Sequence, residues 1–187
     1  MKQIIRPMVV LGAICIVCGG LLGVVESVTR EPIAIQEEKT STEGKKKVFP
    51  DAESFEEIEL AADETSNDIS VKTASVAVDA SGETIGYVVE VLPSGFGGAI
   101  DLMVGVDTEG VVTGISILSL SESPGLGANA KEAWFQDQFV GQTSPVAVTK
   151  DGGSIEAITS STITSRAVAN GVTAAVDWAV DYAGGAN

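Results

Sequence analysis

The residues of this chain best suited to chemistry are hydroxyls. The stretch EAITSSTITSRAV, Glu156 to Val168, carries five hydroxyls between Ser160 and Ser165 and leads into an apolar-periodic segment. One use of such a run is structural. Serine and threonine accept backbone N–H groups at helix starts, and Thr162 is placed to be that N-cap, with Thr164 and Ser165 in the first turn. A second use needs the same geometry. A helix start has N–H groups without intrahelical partners and a partial positive charge, so it holds phosphate. Neighbouring hydroxyls add donors, and Arg166, one turn in, can neutralise a further charge. The run alone leaves both readings open.

What the chain lacks narrows the chemistry. It has no histidine, so the usual neutral-pH base is missing. Its two cysteines, Cys15 and Cys18, lie in the apolar N-terminal stretch, which leaves the remainder without a thiol nucleophile, a disulfide or a cysteine-held metal. A hydrolase would need a serine activated by a lysine such as Lys150 or Lys131. Redox chemistry would need a bound organic cofactor. With 26 acidic against 11 basic residues the net charge is -15, which argues against nucleic acid and against a polybasic membrane contact.

The secondary structure around these residues follows a simple order. MVVLGAICIVCGGLLGVV, Met8 to Val25, is eighteen residues without a charge. At about 1.5 Å per residue it is just long enough for a hydrocarbon core of roughly 30 Å. No small-x-small cleavage site follows closely, and neither cysteine has a small residue before it, so it reads as a retained anchor. Lys2 and Arg6 place the N-terminus inside. The expected division is a cytoplasmic tail at 1–7, a transmembrane helix at 8–25, a linker at 26–48 and an extracytoplasmic domain at 49–187.

Within the domain, DAESFEEIELAA places Phe55, Ile58 and Ala62 at helical spacing and predicts a short acidic helix. SVKTASVAVDA and TIGYVVEVL flank SGE as one hairpin, and AIDLMVGVD and VVTGISILSL flank TEG as a second. NAKEAWFQDQFVG predicts a helix with Ala130, Trp134, Phe135 and Phe139 inward. PVAVTK, DGG and SIEAI predict a third hairpin. The last element is a helix with Val168, Val172, Ala175, Val176 and Ala179 on one face. Antiparallel hairpins with segregated helices make an α+β domain. The Gly-rich breaks at 93–98 and 121–129 match neither a dinucleotide fingerprint nor a phosphate-binding P-loop.

Three segments together carry a resemblance: EAITSSTIT, SESPGLGANAKEAWFQDQF and GFGGAIDLMVGVDTEGVVTGI. The chain resembles the G subunit of the Rnf electron-transport complex and, more distantly, the C subunit of the sodium-pumping NADH:quinone reductase. Members carry FMN on a threonine through a phosphoester bond that a flavin transferase makes from FAD. Their attachment motif is Asp-x-x-Ser/Thr-Gly-Ala-Thr-x-Ser/Thr, and a Glu-Thr-Pro-Gly-Leu-Gly loop accompanies it.

The resemblance implies that Thr162 is the attachment residue, with Ser160, Ser161 and Thr164 around the phosphate. It implies that Leu126 packs on the flavin ring, that Gly125 and Gly127 permit close approach, and that Glu122 and Ser123 bond the ring edge. Here Glu156, Ser160, Ser161 and Ser123 stand where the family has Asp, Gly, Ala and Thr. A family glycine at positive φ would leave Ser160 strained. No catalytic residue and no metal ligand is implied. The implied setting is an electron carrier in a membrane ferredoxin:NAD oxidoreductase coupled to Na⁺ or H⁺ movement, with the other subunits as partners. Gly12, Gly19, Gly20 and Gly23 would let the anchor pack closely on them. A flavin shuttle of another membrane system, or an anchored module without redox chemistry, are the competing readings.

Overall fold

The computed structural model describes residues 2–61 and 63–185, so Ala62 lies outside the described residues. The chain forms two compact units, Met1–Thr40 and Ser41–Asn187. The first is helical and holds the apolar stretch. Helix α1 (Lys2–Val48), whose residues 41–48 belong to the second unit, is the one helix among the described residues long and apolar enough to cross a membrane. The expected linker is therefore helical. Its glutamates and lysines are good helix formers, although they show no apolar period.

The second unit is α+β. Five strands run in the order β1 (Ser54–Ile58), β3 (Ile69–Val78), β4 (Thr84–Val91), β5 (Asp101–Asp107) and β6 (Val112–Ser119), all antiparallel, while the two-residue β2 (Thr65–Ser66) also pairs with β3. Both expected hairpins form, and both turns use one device. Asp79 Oδ1 accepts the N–H groups of Ser81 and Glu83 at 2.8 and 2.9 Å, and Asp107 Oδ1 accepts those of Glu109 and Val111 at 2.9 and 2.8 Å. A glycine three residues after each aspartate takes the left-handed conformation, Gly82 at φ 81° and Gly110 at φ 82°.

Successive strand residues face opposite sides of the sheet. Leu102, Val104 and Val106 join Val89 and Val91 on the face covered by α3 (Thr162–Gly185), whose Val168, Val172, Ala175, Val176 and Ala179 are all buried there. Gly171 lets α3 approach closely, since a Cβ there would lie 2.8 Å from Pro93 Cγ and 2.9 Å from Leu102 Cδ2. The other face carries Val88 and Met103, packed with Val48 and Phe49. The last turns of α1 seat here. Gly105 pairs with Gly114 across β5 and β6, and a Cβ on Gly105 would come 3.0 Å from Val48 Cβ. Thr113 Oγ1 donates to Val48 O at 2.7 Å.

Three expectations are corrected. The segment around Phe55 and Ile58 is the edge strand β1, because pairing along β3 supplies hydrogen bonds that outweigh helix propensity. The expected helix after the Pro-Gly-Leu-Gly loop is a 3-10 turn (Gly127–Lys131), the single turn α2 (Ala133–Gln136) and another 3-10 turn (Asp137–Phe139). Glu132, at ψ 141°, breaks it, and Gln136 Nε2 donates to Ala130 O and Lys131 O in place of backbone donors. Ala130, Phe135 and Phe139 are buried as expected, but Trp134 is 51% exposed. The third hairpin is replaced by one parallel bridge, Val148 to Ile155, around a 3-10 turn at Thr149–Asp151.

One partly buried ionic cluster gives the domain a pH dependence. Lys72 Nζ lies 2.6 Å from Glu90 Oε1 and 2.8 Å from Asp101 Oδ2, and Thr73 Oγ1 donates to Glu90 Oε2 at 2.7 Å. Asp101 Oδ1 is buried without a hydrogen-bond partner among the described residues. Burial and the adjacent Glu90 raise Asp101 from 3.8 to about 6 against the pull of Lys72. Burial also pushes Glu90 up, but the neighbouring Asp101 carboxyl, the Lys72 ammonium and the Thr73 hydroxyl outweigh it and hold Glu90 below its ordinary range. The folded state thus binds a proton at Asp101 more tightly than the unfolded chain. This contribution is fullest below pH 3.8 and is lost as pH rises through about 6. Glu90 acts oppositely, losing its contribution as pH falls through its lowered value. Asp101→Asn should therefore flatten the stability profile between about pH 4 and 6 and raise stability at pH 7 by about 1 kcal/mol after solvent screening. Urea midpoints across that range check it, and a variant keeping the wild-type slope would refute it.

Candidate functional site

The hydroxyl run sits where a loop enters α3. Ser161 is the residue before the helix, its carbonyl accepting the Ser165 N–H at 3.0 Å and Ser165 Oγ at 3.0 Å. Ser165 Oγ in turn accepts the Ile158 N–H at 2.9 Å. Ser165 thus ties the incoming loop to the first turn, a job that residue type and spacing do not reveal. Thr162 is accordingly the first helical residue and not the N-cap. Its hydroxyl is engaged elsewhere, accepting from Lys150 Nζ at 2.9 Å.

Ser160 takes φ 63°, the left-handed conformation that favours glycine. The sharp turn it makes brings the loop into α3. Ser160→Gly should stabilise the domain by about 0.5–1 kcal/mol, the relief of strain offset by the glycine's extra chain entropy. A thermal midpoint below that of the wild type would contradict this.

Facing the helix start, Glu122 is buried and braces two loops. Its Oε1 accepts the N–H groups of Phe96 and Gly97 at 2.7 and 3.1 Å, and its Oε2 accepts from Thr164 Oγ1 at 3.0 Å. The Gly-rich turn at 95–98, the Pro-Gly-Leu-Gly loop and α3 are joined through this one carboxylate. Gly127 completes the wall, because a Cβ there would lie 2.6 Å from Glu122 Oε2 and 2.7 Å from Thr164 Oγ1.

Between these elements lies a cavity of about 370 Å³, lined by Phe96, Glu122, Ser123, Leu126, Gly127 and Ser160 to Thr164. Eight of the nine residues singled out from sequence border it: Thr162, Ser160, Ser161, Thr164, Glu122, Ser123, Leu126 and Gly127. Gly125 does not, and at φ 75° it serves the turn that presents Leu126. Phe96 and Ile163 also line the cavity and are absent from the sequence expectation. Phe96 is 71% and Ile163 54% exposed, and each directly follows a recognised feature, the first glycine of the turn and Thr162. Glu156 is exposed, with its backbone N–H donating to Gln138 Oε1 at 2.7 Å.

The expectation for Arg166 also fails at the site. Arg166 is committed to Asp151, Nε to Oδ2 and Nη2 to Oδ1, both at 2.6 Å. The pair's hydrogen bonds hold Asp151 below and Arg166 above their ordinary values. The cation at the hydroxyl run is instead Lys150.

The arrangement suits a phosphorylated ring compound. A helix start and four hydroxyls line the cavity together with the exposed apolar side chains of Leu126, Phe96 and Ile163. A larger cleft of about 770 Å³ lies elsewhere in the unit, but Glu64, Glu109, Asp177 and Asp181 line it and would repel a phosphate.

Residues 95–177, which contain every wall of the smaller cavity, match the FMN-binding domain family. The chain is also 35% identical over 185 residues to the G subunit of the Na(+)-translocating ferredoxin:NAD(+) oxidoreductase complex of Acetobacterium woodii, covering 91% of this chain and 89% of that one. It is 32% identical over 180 residues to the G subunit of the ion-translocating oxidoreductase complex of Methanosarcina acetivorans, covering 95% of both. With the G subunit of the proton-translocating ferredoxin:NAD(+) oxidoreductase complex of Clostridium ljungdahlii it shares 34% identity over 176 residues, 91% of this chain and 89% of the relative. The chain belongs to the family of Rnf complex G subunits.

Proposed function

We propose that this chain is the flavin-bearing electron carrier of a membrane ferredoxin:NAD oxidoreductase coupled to Na⁺ or H⁺ translocation, with FMN joined to Thr162 by a phosphoester bond. One observation carries the reading. Thr162 presents a hydroxyl that is not used for capping, at the start of α3, in a cavity lined by hydroxyls and exposed apolar side chains. FMN accepts and releases electrons singly or in pairs, which lets a site of this kind join one-electron and two-electron partners.

The chain's own residues do the positioning. Ser160, Ser161, Thr164 and the first N–H groups of α3 surround the phosphate end. Leu126, Phe96 and Ile163 take the apolar ring, and Ser123 reaches its edge. Glu122 fixes the two loops, so the mouth keeps its shape as the cofactor's charge changes. A covalent tether prevents loss of the cofactor on the extracytoplasmic side, where the domain is held by the anchor in α1. A flavin transferase acting on FAD installs it, and the remaining subunits handle ferredoxin, NAD and the ion.

Membranes carrying the chain as Thr162→Ala should assemble the complex yet lose at least about 90% of ferredoxin-dependent NAD reduction, as expected when a relay centre is missing. Wild-type electron transfer in such membranes would rule this function out.

A further inference from the structure

A phosphate in a domain this acidic needs a cation beside it, and the two basic side chains nearest the start of α3 have different commitments. Both nitrogens of the Arg166 fork that face Asp151 are bonded to it. Lys150 instead aims its ammonium at Thr162 Oγ1, at 2.9 Å.

The backbone that carries Lys150 is held firmly. In the 3-10 turn at Thr149–Asp151, Asp151 N–H donates to Val148 O at 2.9 Å and Thr149 N–H donates to Ile155 O at 2.8 Å. Gly153 N–H donates to Val148 O at 3.0 Å, and Gly152 closes the turn at φ 88°. The Asp151–Arg166 pair then fastens this turn to the first turn of α3. Arg166 is four residues beyond Thr162 and lies on the same helix face. The ion pair that removes Arg166 from the phosphate is thus the contact that delivers Lys150 to it.

We propose that Lys150 is the cation of the phosphoryl site, acting on Thr162 Oγ1 during flavin attachment and neutralising the phosphodiester afterwards. The proposal rests on Thr162 being the attachment residue. In the transfer, a bond forms between Thr162 Oγ1 and the phosphorus on the flavin side of FAD. The bond from that phosphorus to the bridging oxygen breaks, AMP leaves with that oxygen, and the hydroxyl proton passes to a base of the transferase or to water. No electron is transferred. An ammonium bonded to the attacking oxygen turns its O–H outward toward that base and favours the developing negative charge. The product carries one negative charge on its phosphodiester, within reach of the same ammonium.

The test uses the full chain in detergent, with FAD, Mg²⁺ and an active flavin transferase, and follows attachment by intact mass. Lys150→Gln should slow incorporation by about 10- to 100-fold, the range for losing one charge-assisted hydrogen bond. Lys150→Arg should recover most of the rate, and Lys150→Glu should lose more than the glutamine variant. A second readout separates charge from scaffolding. In a Thr162→Ala background, where flavin can be held only without a covalent bond, Lys150→Gln should raise the Kd for FMN by about tenfold and leave that for riboflavin unchanged.

Incorporation at the wild-type rate in Lys150→Gln and Lys150→Glu, or equal weakening of FMN and riboflavin, would overturn the proposal while leaving Thr162 as the attachment residue. A wild-type chain that stays unmodified beside a modified control substrate would overturn both.

Discussion

Thr162→Ala should fold normally and carry no covalent flavin. Expressed with a flavin transferase and run on a denaturing gel, the wild type should fluoresce under ultraviolet light and the variant should be dark. The two halves of this result have separate causes. The fold survives because the Thr162 side chain does not cap α3: Ser161 O accepts from the Ser165 N–H and hydroxyl, and Thr162 Oγ1 bonds the exposed Lys150. Its removal should cost no more than about 0.5 kcal/mol. The flavin is lost because a phosphoester needs the oxygen, and the neighbouring hydroxyls of Ser161 and Thr164 are buried. Thr162→Ser, which keeps the oxygen, should restore fluorescence. A fluorescent alanine variant would mean that another residue is modified.

Glu122→Ala should be the most damaging single change at the site for stability. The carboxylate is 8% exposed and accepts three hydrogen bonds, from the Phe96 and Gly97 N–H groups and from Thr164 Oγ1. Alanine leaves the buried Thr164 hydroxyl and the part-buried Phe96 and Gly97 N–H groups without this acceptor, at a cost of about 1–3 kcal/mol. The Gly-rich turn should loosen, and FMN affinity measured in the Thr162→Ala background should fall with it. Glu122→Gln, with one oxygen where two are needed, should lie between. Glu109→Ala, an exposed control on the β5–β6 turn, should stay within about 0.5 kcal/mol of wild type. Chemical denaturation of the full chain measures all three, and a wild-type midpoint for Glu122→Ala would remove the brace from the account.

The parts of this fold readable in the sequence are those governed by local pattern. Val168, Val172, Ala175, Val176 and Ala179 mark the buried face of α3 because a helix repeats every 3.6 residues. The hairpins show in their β-branched alternation and in two Asp-x-x-Gly turns. Tertiary pairing decides the rest. Phe55 and Ile58 fit a helix spacing, yet the free edge of β3 makes their segment a strand. At the end of α1, Gly44, Lys45 and Val48 meet the sheet within little more than one turn, too short a contact to print a period. The helix breaks at Glu132, and Gln136 bonds the carbonyls left there through side-chain contacts that no spacing reveals.

The site divides the same way. The hydroxyl run and the Pro-Gly-Leu-Gly loop are legible as segments, but 42 residues separate Glu122 from Thr164, and only the fold makes them partners. Lys150 is the least legible of all. Its segment reads as a hairpin, and the turn that replaces the hairpin is what carries the ammonium to Thr162.

Whether Thr162 holds the flavin is read by peptide mapping of the chain purified from its own membrane. After proteolysis, tandem mass spectrometry should find the mass of FMN, less one water, on the peptide containing Thr162, with fragment ions placing it on that residue. An unmodified Thr162 peptide as the sole form, or the flavin mass on another residue, would contradict the account.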